Sequence, residues 1–205
     1  MQSSLNVINS VVNIPSIKVN YYGSPVVFGY YTDSILYGSS KVYSVTAGVD
    51  QVTIVNSKDT LHPIYDRSLK LDPGGVYSLF LSGQAPSLDT LFVKDVIPYR
   101  NDSTTGIRFI NLSPNSNPLS INITGHTNGS ETNNLAYKAI TEFKTYQALS
   151  SNTTYKFEIR DAVSSTLLST YTLNTPRFYN VTLVVKGVVG GSGVNALGVL
   201  LVKNY

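Results

Sequence analysis

Read along the chain, apolar and polar positions alternate with a period of two. In Tyr155-Lys156-Phe157-Glu158-Ile159-Arg160 the rings and Ile159 fall on one side and the charges on the other. Successive side chains of an extended strand point to opposite faces, so this run predicts a strand with one dry and one wet face. Ile17, Val19 and Tyr21 alternate with Lys18, Asn20 and Tyr22. Tyr77, Leu79 and Leu81 alternate with Ser78, Phe80 and Ser82, and Val181, Leu183 and Val185 with Thr182, Val184 and Lys186. Turn formers separate the runs: Ala47-Gly48, Asp72-Pro73-Gly74-Gly75, Asn128-Gly129, Ser150-Ser151-Asn152 and Gly190-Gly191-Ser192-Gly193. No stretch carries a sustained helical stripe; the best, Leu135–Phe143, predicts at most a short helical turn. Short alternating strands with frequent turns predict an antiparallel sandwich or barrel.

The pattern occurs twice. Leu5-Asn6-Val7-Ile8-Asn9 followed by Ile17-Lys18-Val19-Asn20-Tyr21-Tyr22-Gly23 returns as Ile107-Arg108-Phe109-Ile110-Asn111 followed by Leu119-Ser120-Ile121-Asn122-Ile123-Thr124-Gly125. The runs that end in Gly83 and Gly187 match as well. A repeat of about 100 residues is domain-sized rather than a solenoid unit. The expected fold is therefore all-β: two tandem immunoglobulin-like antiparallel β-sandwiches of about seven strands each, spanning 1–100 and 101–205 and joined near Pro98–Gly106. The expected core is Val7, Ile8, Ile17, Val19, Val52, Ile54, Leu79 and Leu81 in the first copy. In the second it is Phe109, Ile110, Ile121, Ile123, Tyr155, Phe157, Ile159, Leu183 and Val185.

Composition narrows the surroundings. Charged residues are only 13% of the chain, replaced by Ser, Thr and Asn beside 15 Tyr and 15 Gly. The net charge of +3 is scattered over the second half, since Lys and Arg balance Asp in residues 1–100. A nucleic-acid binder needs a dense basic stripe, so no nucleic-acid partner is expected. The absence of Cys excludes disulfides, thiolate metal sites and a cysteine nucleophile. Met1-Gln2-Ser3-Ser4 lacks the basic and apolar regions of a signal peptide. The expectation is a mature, extracytoplasmic chain at the cell surface or in the periplasm, held to the membrane only through a lipid anchor outside this sequence.

Arg108-Phe109-Ile110-Asn111-Leu112-Ser113-Pro114-Asn115 resembles the opening signature of the bacterial family called domain of unknown function 4397. The Ile-x-Ile strand that follows, and the late strands closing at Gly83 and Gly187, continue the resemblance over nearly the whole chain. In the first copy Val11-Val12 replaces Ser-Pro. The resemblance implies immunoglobulin-like sandwiches in secreted or lipid-anchored surface proteins, frequent in Bacteroidetes-type bacteria, with no activity and no catalytic residues to carry over.

Candidate chemistry is sparse. No catalytic, cofactor-binding or metal-binding residue set is expected, and no cofactor. His62 and His126 sit in turns, outside any metal-ligand or triad spacing. Asp59, His62 and Asp66 form the nearest approach to a reactive cluster, for a hydrolase hidden in an interdomain cleft. Tyrosine offers more, because its ring is large, amphipathic and has few rotatable bonds. Tyr22, Tyr30, Tyr31 and Tyr37 are the candidate ligand or interface residues. The function expected is a non-catalytic surface module for adhesion or ligand binding, with a cell-surface protein or a glycan as partner. The alternatives are an accessory carbohydrate binder that stacks sugars on these tyrosines, and the hydrolase.

Overall fold

The computed structural model describes all residues except 22–27, 29–32, 102, 152–153, 176 and 205. The chain divides into two compact units, Met1–Val96 and Ile97–Tyr205. The first contains β1 (Gln2–Asn9), β2 (Ser16–Asn20), β3 (Ser34–Leu36), β4 (Ser39–Thr46), β5 (Gly48–Asn56), β6 (Asp59–Leu71), β7 (Val76–Gln84) and β8 (Ser87–Lys94). They form two four-stranded sheets, β4-β1-β7-β8 and β3-β2-β5-β6. The second contains β9 (Thr104–Asn111), β10 (Leu119–Ile123), β11 (Thr132–Leu135), β12 (Lys144–Gln147), β13 (Thr154–Asp161), β14 (Leu167–Asn174), β15 (Asn180–Lys186) and β16 (Gly198–Asn204). Its sheets, β12-β9-β15-β16 and β11-β10-β13-β14, repeat the first unit strand for strand. The fold is all-β, two tandem sandwiches.

Two details depart from the expected pattern. Among the described residues each unit has eight strands rather than about seven, because β3 and β11 span only three and four residues, too few for alternation to register. The sheets are also not purely antiparallel: β1 pairs in parallel with β7, and β9 with β15. Leu135 closes β11, and the segment after it is turn, not helix.

Alternation builds each core. Leu5, Val7, Ile17, Val19, Val52, Ile54, Leu79 and Leu81 meet inside the first unit. Ile107, Phe109, Ile121, Phe157, Ile159, Leu183 and Val185 meet inside the second. Each fully buried aliphatic or aromatic side chain contributes roughly 1.5–3 kcal/mol. Ile123 and Tyr155 are only partly buried against the second core. Ile8 and Ile110 are fully buried but stand outside these clusters, since each neighbours an inward residue and must point the other way. Ser78, Phe80 and Ser82 also belong to no wet face, being fully buried. Asp95, just beyond β8, accepts a 2.6 Å hydrogen bond from the Ser78 hydroxyl on that side of β7.

The asparagine of the repeated motif closes each sandwich. Asn9 is fully buried; its amide donates to the Ile35 carbonyl at 3.2 Å, on β3 of the opposite sheet. Its Oδ1 accepts from the Val11 amide at 3.3 Å. Asn111 repeats the arrangement, donating to the Leu135 carbonyl at 3.1 Å and accepting from the Ser113 amide at 3.0 Å. The matched glycines are equally constrained: Gly83 and Gly187 have φ of +91° and +83°. A Cβ there would lie 2.6 Å from the Ser87 carbonyl oxygen or 2.3 Å from that of Ala196.

Asn111→Ala leaves a buried carbonyl and a buried amide without partners, at roughly 1–3 kcal/mol for each. Denaturant unfolding of this variant should show a loss of about 2–5 kcal/mol, whereas Asn115→Ala, at an exposed position, should change stability far less.

Candidate functional site

Strand directions sort the connections of the first unit into two groups. β1 and β7 run parallel, while β4 and β8 run against them. The chain start, Tyr21 and Asp33 at the flanks of the 21–33 connection, Ala47 and the Asp72–Gly75 turn therefore collect at one end. The 10–15, 37–38 and 57–58 connections collect at the other. Tyr22, Tyr30 and Tyr31 lie outside the described residues, on the 21–33 connection. Tyr37 is among the described residues, and the β3–β4 turn that carries it sits where β1 finishes. Its amide donates to the Pro15 carbonyl at 2.8 Å, and burial pushes its hydroxyl pKa up.

The described flanks of the 21–33 connection are tied to β4. The Tyr21 and Tyr43 rings pack at 5.0 Å between centroids, tilted by 53°. Lys41 Nζ stands 5.6 Å above the Tyr43 ring and pairs with Asp33. Burial, then the neighbouring Tyr21 and Asp33, push the Tyr43 hydroxyl up to about 12. The second unit has a related latch, in which Lys144 pairs with Glu131 and the Tyr146 hydroxyl donates to the Glu131 carboxylate.

Beside Tyr43 lies a shallow depression of about 320 Å³, lined by Gln2, Ser3, Ser4, Val42, Tyr43, Ser44, Gly74, Gly75 and Val76. Its volume is near the lower bound of about 300 Å³ usual for ligand pockets. None of the lining side chains is charged. The Ser44 hydroxyl donates to Gln2 Oε1 at 2.7 Å, and that of Ser3 to the Asp72 carbonyl at 2.7 Å. Backbone bonds from Gly74 N to the Gln2 carbonyl and from Ser4 N to the Gly75 carbonyl, both 2.9 Å, hold the turn against β1. Gly75 is obligatory, as a Cβ would lie 2.5 Å from the Tyr77 ring. Sequence reasoning saw this segment only as turn punctuation, and it missed Gln2, Ser4 and Ser44 because isolated neutral residues carry no chemical signature.

Asp72 anchors the turn. Its carboxylate accepts from Lys94 Nζ at 2.7 Å and from the Tyr77 hydroxyl at 3.2 Å, while its backbone amide donates to that hydroxyl at 2.9 Å. The Tyr77 ring stacks on Phe92 at 5.3 Å.

The expected hydrolase residues do not converge. Asp59 and His62 form an exposed pair at 2.9 Å beside the β5–β6 turn, at the end opposite the depression. Asp66 instead accepts from Gln51 Nε2 at 2.6 Å and Thr53 Oγ1 at 2.9 Å, and no hydrogen bond joins it to His62. Among the described residues no group of three or more His, Asp or Glu could hold a metal.

Lys94 and the Tyr77 hydroxyl hold the Asp72 carboxyl below the usual carboxylate range. A depressed carboxyl stabilises the folded state above its unfolded pKa of about 3.9, and that contribution disappears as pH falls through the lower folded value. Acid unfolding of Asp72→Asn should accordingly lose less stability below pH ~4 than the parent, as read by denaturant titration across that window.

No curated protein matches the chain. Among solved structures it is similar to the C-terminal domain of AlgF from P. aeruginosa, at 12% identity over 46% of this chain and 98% of that one, with a TM-score of 0.32. It is also similar to the carbohydrate-binding module CBMbc (family CBM26) of Eubacterium rectale Amy13K, at 8% identity over 100% and 98% of the two chains, with a TM-score of 0.30. A third likeness is to the pneumococcal virulence factor SpuA, at 9% identity over 88% and 20%, with a TM-score of 0.29. A family model described as Domain of unknown function (DUF4397) matches residues 3–122, the whole first sandwich and the opening strands of the second, and the chain belongs to that family.

Proposed function

We propose that this chain is a non-catalytic, extracytoplasmic binding module of a bacterial surface protein. In this reading it engages a protein or glycan partner at the end of the first unit that carries the 21–33 connection and the depression. The observation behind it is the contrast between the two units. Strand order, asparagine clasp and matched glycines repeat, whereas the β2–β3 connection does not. In the second unit that connection is the short polar segment 124–131; in the first it is 21–33, with tyrosines at 21, 22, 30 and 31. Other connections differ in length as well, 37–38 against 136–143 and 85–86 against 187–197, but 21–33 is the one that is longer in the first unit and carries four tyrosines. Connections on a constant scaffold are where sandwich folds carry recognition. Neutral groups in the depression and the low overall charge favour an uncharged contact surface.

The test is the triple variant Tyr22→Ala/Tyr30→Ala/Tyr31→Ala, measured on an array of glycans and purified cell-surface and matrix proteins. Binding should fall at least about tenfold, or about 1.4 kcal/mol, while the melting temperature stays near that of the parent. Equal binding by parent and variant, or no binding by the parent, would reject the reading.

A further inference from the structure

The two sandwiches also differ along the seam where the edge strands of their opposing sheets approach each other. The repeated motif sets the correspondence. Val19 pairs with Ile54 and its counterpart Ile121 with Ile159, so Arg67, opposite Val52, takes the place of Tyr171, opposite Phe157. Asn9 pairs with Leu81 and Asn111 with Val185, so Thr90, opposite Leu81, takes the place of Val199. In the second unit Tyr171 and Val199 pack against the core, and β14 lies against β16. Apolar side chains close the seam there. In the first unit a cation and a hydroxyl stand in those places, and among the described residues no comparable contact joins β6 to β8.

A hollow of about 200 Å³ opens instead, between Pro63, Ile64, Tyr65 and Arg67 of β6 and Leu88 and Thr90 of β8. Ile64 and Leu88 pack on the core and give it an apolar floor. Tyr65 is only 7% exposed, and Thr90 is half-buried. Among the described residues, the Tyr65 and Thr90 hydroxyls and the Arg67 guanidinium have no hydrogen-bond or ion-pair partner. The charge of Arg67 nonetheless reaches the Tyr65 hydroxyl, opposing the rise in pKa that burial causes. Asp66 also borders the hollow, but its carboxylate is held by Gln51 and Thr53 on the other side of the strand. Three unpartnered donors therefore share one recess, and a carboxylate is the acceptor that a guanidinium fits best.

The recess is smaller than the roughly 300 Å³ from which pockets for free small ligands begin, so it suits one side chain of a partner that is held by something more. The strand beside it can do the holding. β6 is the edge of its sheet, and Tyr65–Leu71 pair with β5 in unbroken register, from Ile54 to Gly48. Asp66, Arg67, Ser68 and Lys70 are all exposed along it. An edge strand presents backbone N–H and C=O groups with which an extended peptide can pair. An inward-pointing charge there keeps neutral strands away, and for the same reason selects a strand of opposite charge. We infer that β6 takes an extended acidic peptide as an added strand, one of whose Asp or Glu side chains enters the hollow. Its stem rests on Ile64 and Leu88, and its carboxylate meets Arg67, Tyr65 and Thr90. The surface is separate from the 21–33 connection, at the opposite edge of the β3-β2-β5-β6 sheet, and the inference does not rest on the reading proposed above.

The experiment is an NMR titration of the full chain with the capped peptide Thr-Val-Thr-Glu-Thr-Val-Thr, with versions carrying Gln or Lys in place of Glu, and with free glucuronate. The expected result is saturable shifts at the Tyr65–Leu69 and Leu88–Thr90 amides. At low salt the Glu peptide should bind at least about tenfold more tightly than the Gln peptide. Arg67→Glu should reverse the preference in favour of the Lys peptide. Arg67→Tyr/Thr90→Val, the pair the second unit carries, should close the seam and weaken the Glu peptide at least about tenfold. These positions are exposed or half-exposed, so both variants should keep the parent's dispersed spectrum. Equal binding of the Glu and Gln peptides, an unchanged preference in Arg67→Glu, or undiminished binding by the double variant would overturn the inference. So would the absence of shifts along β6. Binding of glucuronate without any peptide would overturn it in favour of an acidic sugar. The triple-tyrosine test judges the other surface independently of all these outcomes.

Discussion

Everything in each sandwich depends on joining two sheets at the point where the first strand ends, and a buried asparagine does this. Packing of apolar faces is non-directional and would tolerate sliding of one sheet over the other. Asn9 and Asn111 supply the direction. Each presents a carbonyl to the backbone of its own turn and an amide to a strand of the opposing sheet, and each is fully buried. A buried amide without its partners costs far more than the satisfied bond contributes, so the arrangement penalises every other register. The clasp explains why asparagine, rather than a larger apolar residue, closes the Val-Ile-Asn and Phe-Ile-Asn motifs.

Much of the architecture was legible because period-two alternation and a constant offset are geometric consequences of strands and of duplication. Tyr155–Arg160 is the strand its alternation predicts, though only Lys156 on the charged face is fully in water, Glu158 and Arg160 being half-buried against each other. The same rule misread Phe80, which sits between two serines yet is fully buried. Alternation reports which side a residue is on, not what lies over that side. Ile8 and Ile110 show the converse, being buried as expected but directed away from the cluster in which they were placed. The strands β3 and β11 escaped notice because three or four residues cannot establish a period.

The candidate site was far less legible. Of the tyrosines singled out, Tyr22, Tyr30 and Tyr31 lie outside the described residues, and Tyr37 sits on the β3–β4 turn, at the opposite end of the sandwich from Tyr21. Asp59, His62 and Asp66 looked like a cluster, yet Asp66 is claimed by Gln51 and Thr53 on the adjacent strand. The depression was invisible for a different reason: its lining is neutral and is gathered from β1, β4, a turn and the start of β7. A signal did exist. Following the repeat past its first strands sets Gly74-Gly75 against Phe178-Tyr179, a replacement of two large rings by none on an unchanged backbone.

The parallel pairing of β1 with β7 bears on how the chain is made. During synthesis β1 emerges first, but its lateral partner follows about 70 residues later, as the bond from the Ser10 hydroxyl to the Leu81 carbonyl records. Such distant contacts slow folding, and the nascent first strand must wait with β4 alone along one edge. The same apolar pattern, closing in Ile-Asn, then reappears in β9, which seeks an equivalent mate in β15. Two near-copies made in succession invite exchange of strands between them, a characteristic hazard of tandem domains. The copies have diverged, with Val11-Val12 in the first where Ser113-Pro114 stands in the second, and divergence of this kind lowers that hazard by making exchanged strands a poorer fit.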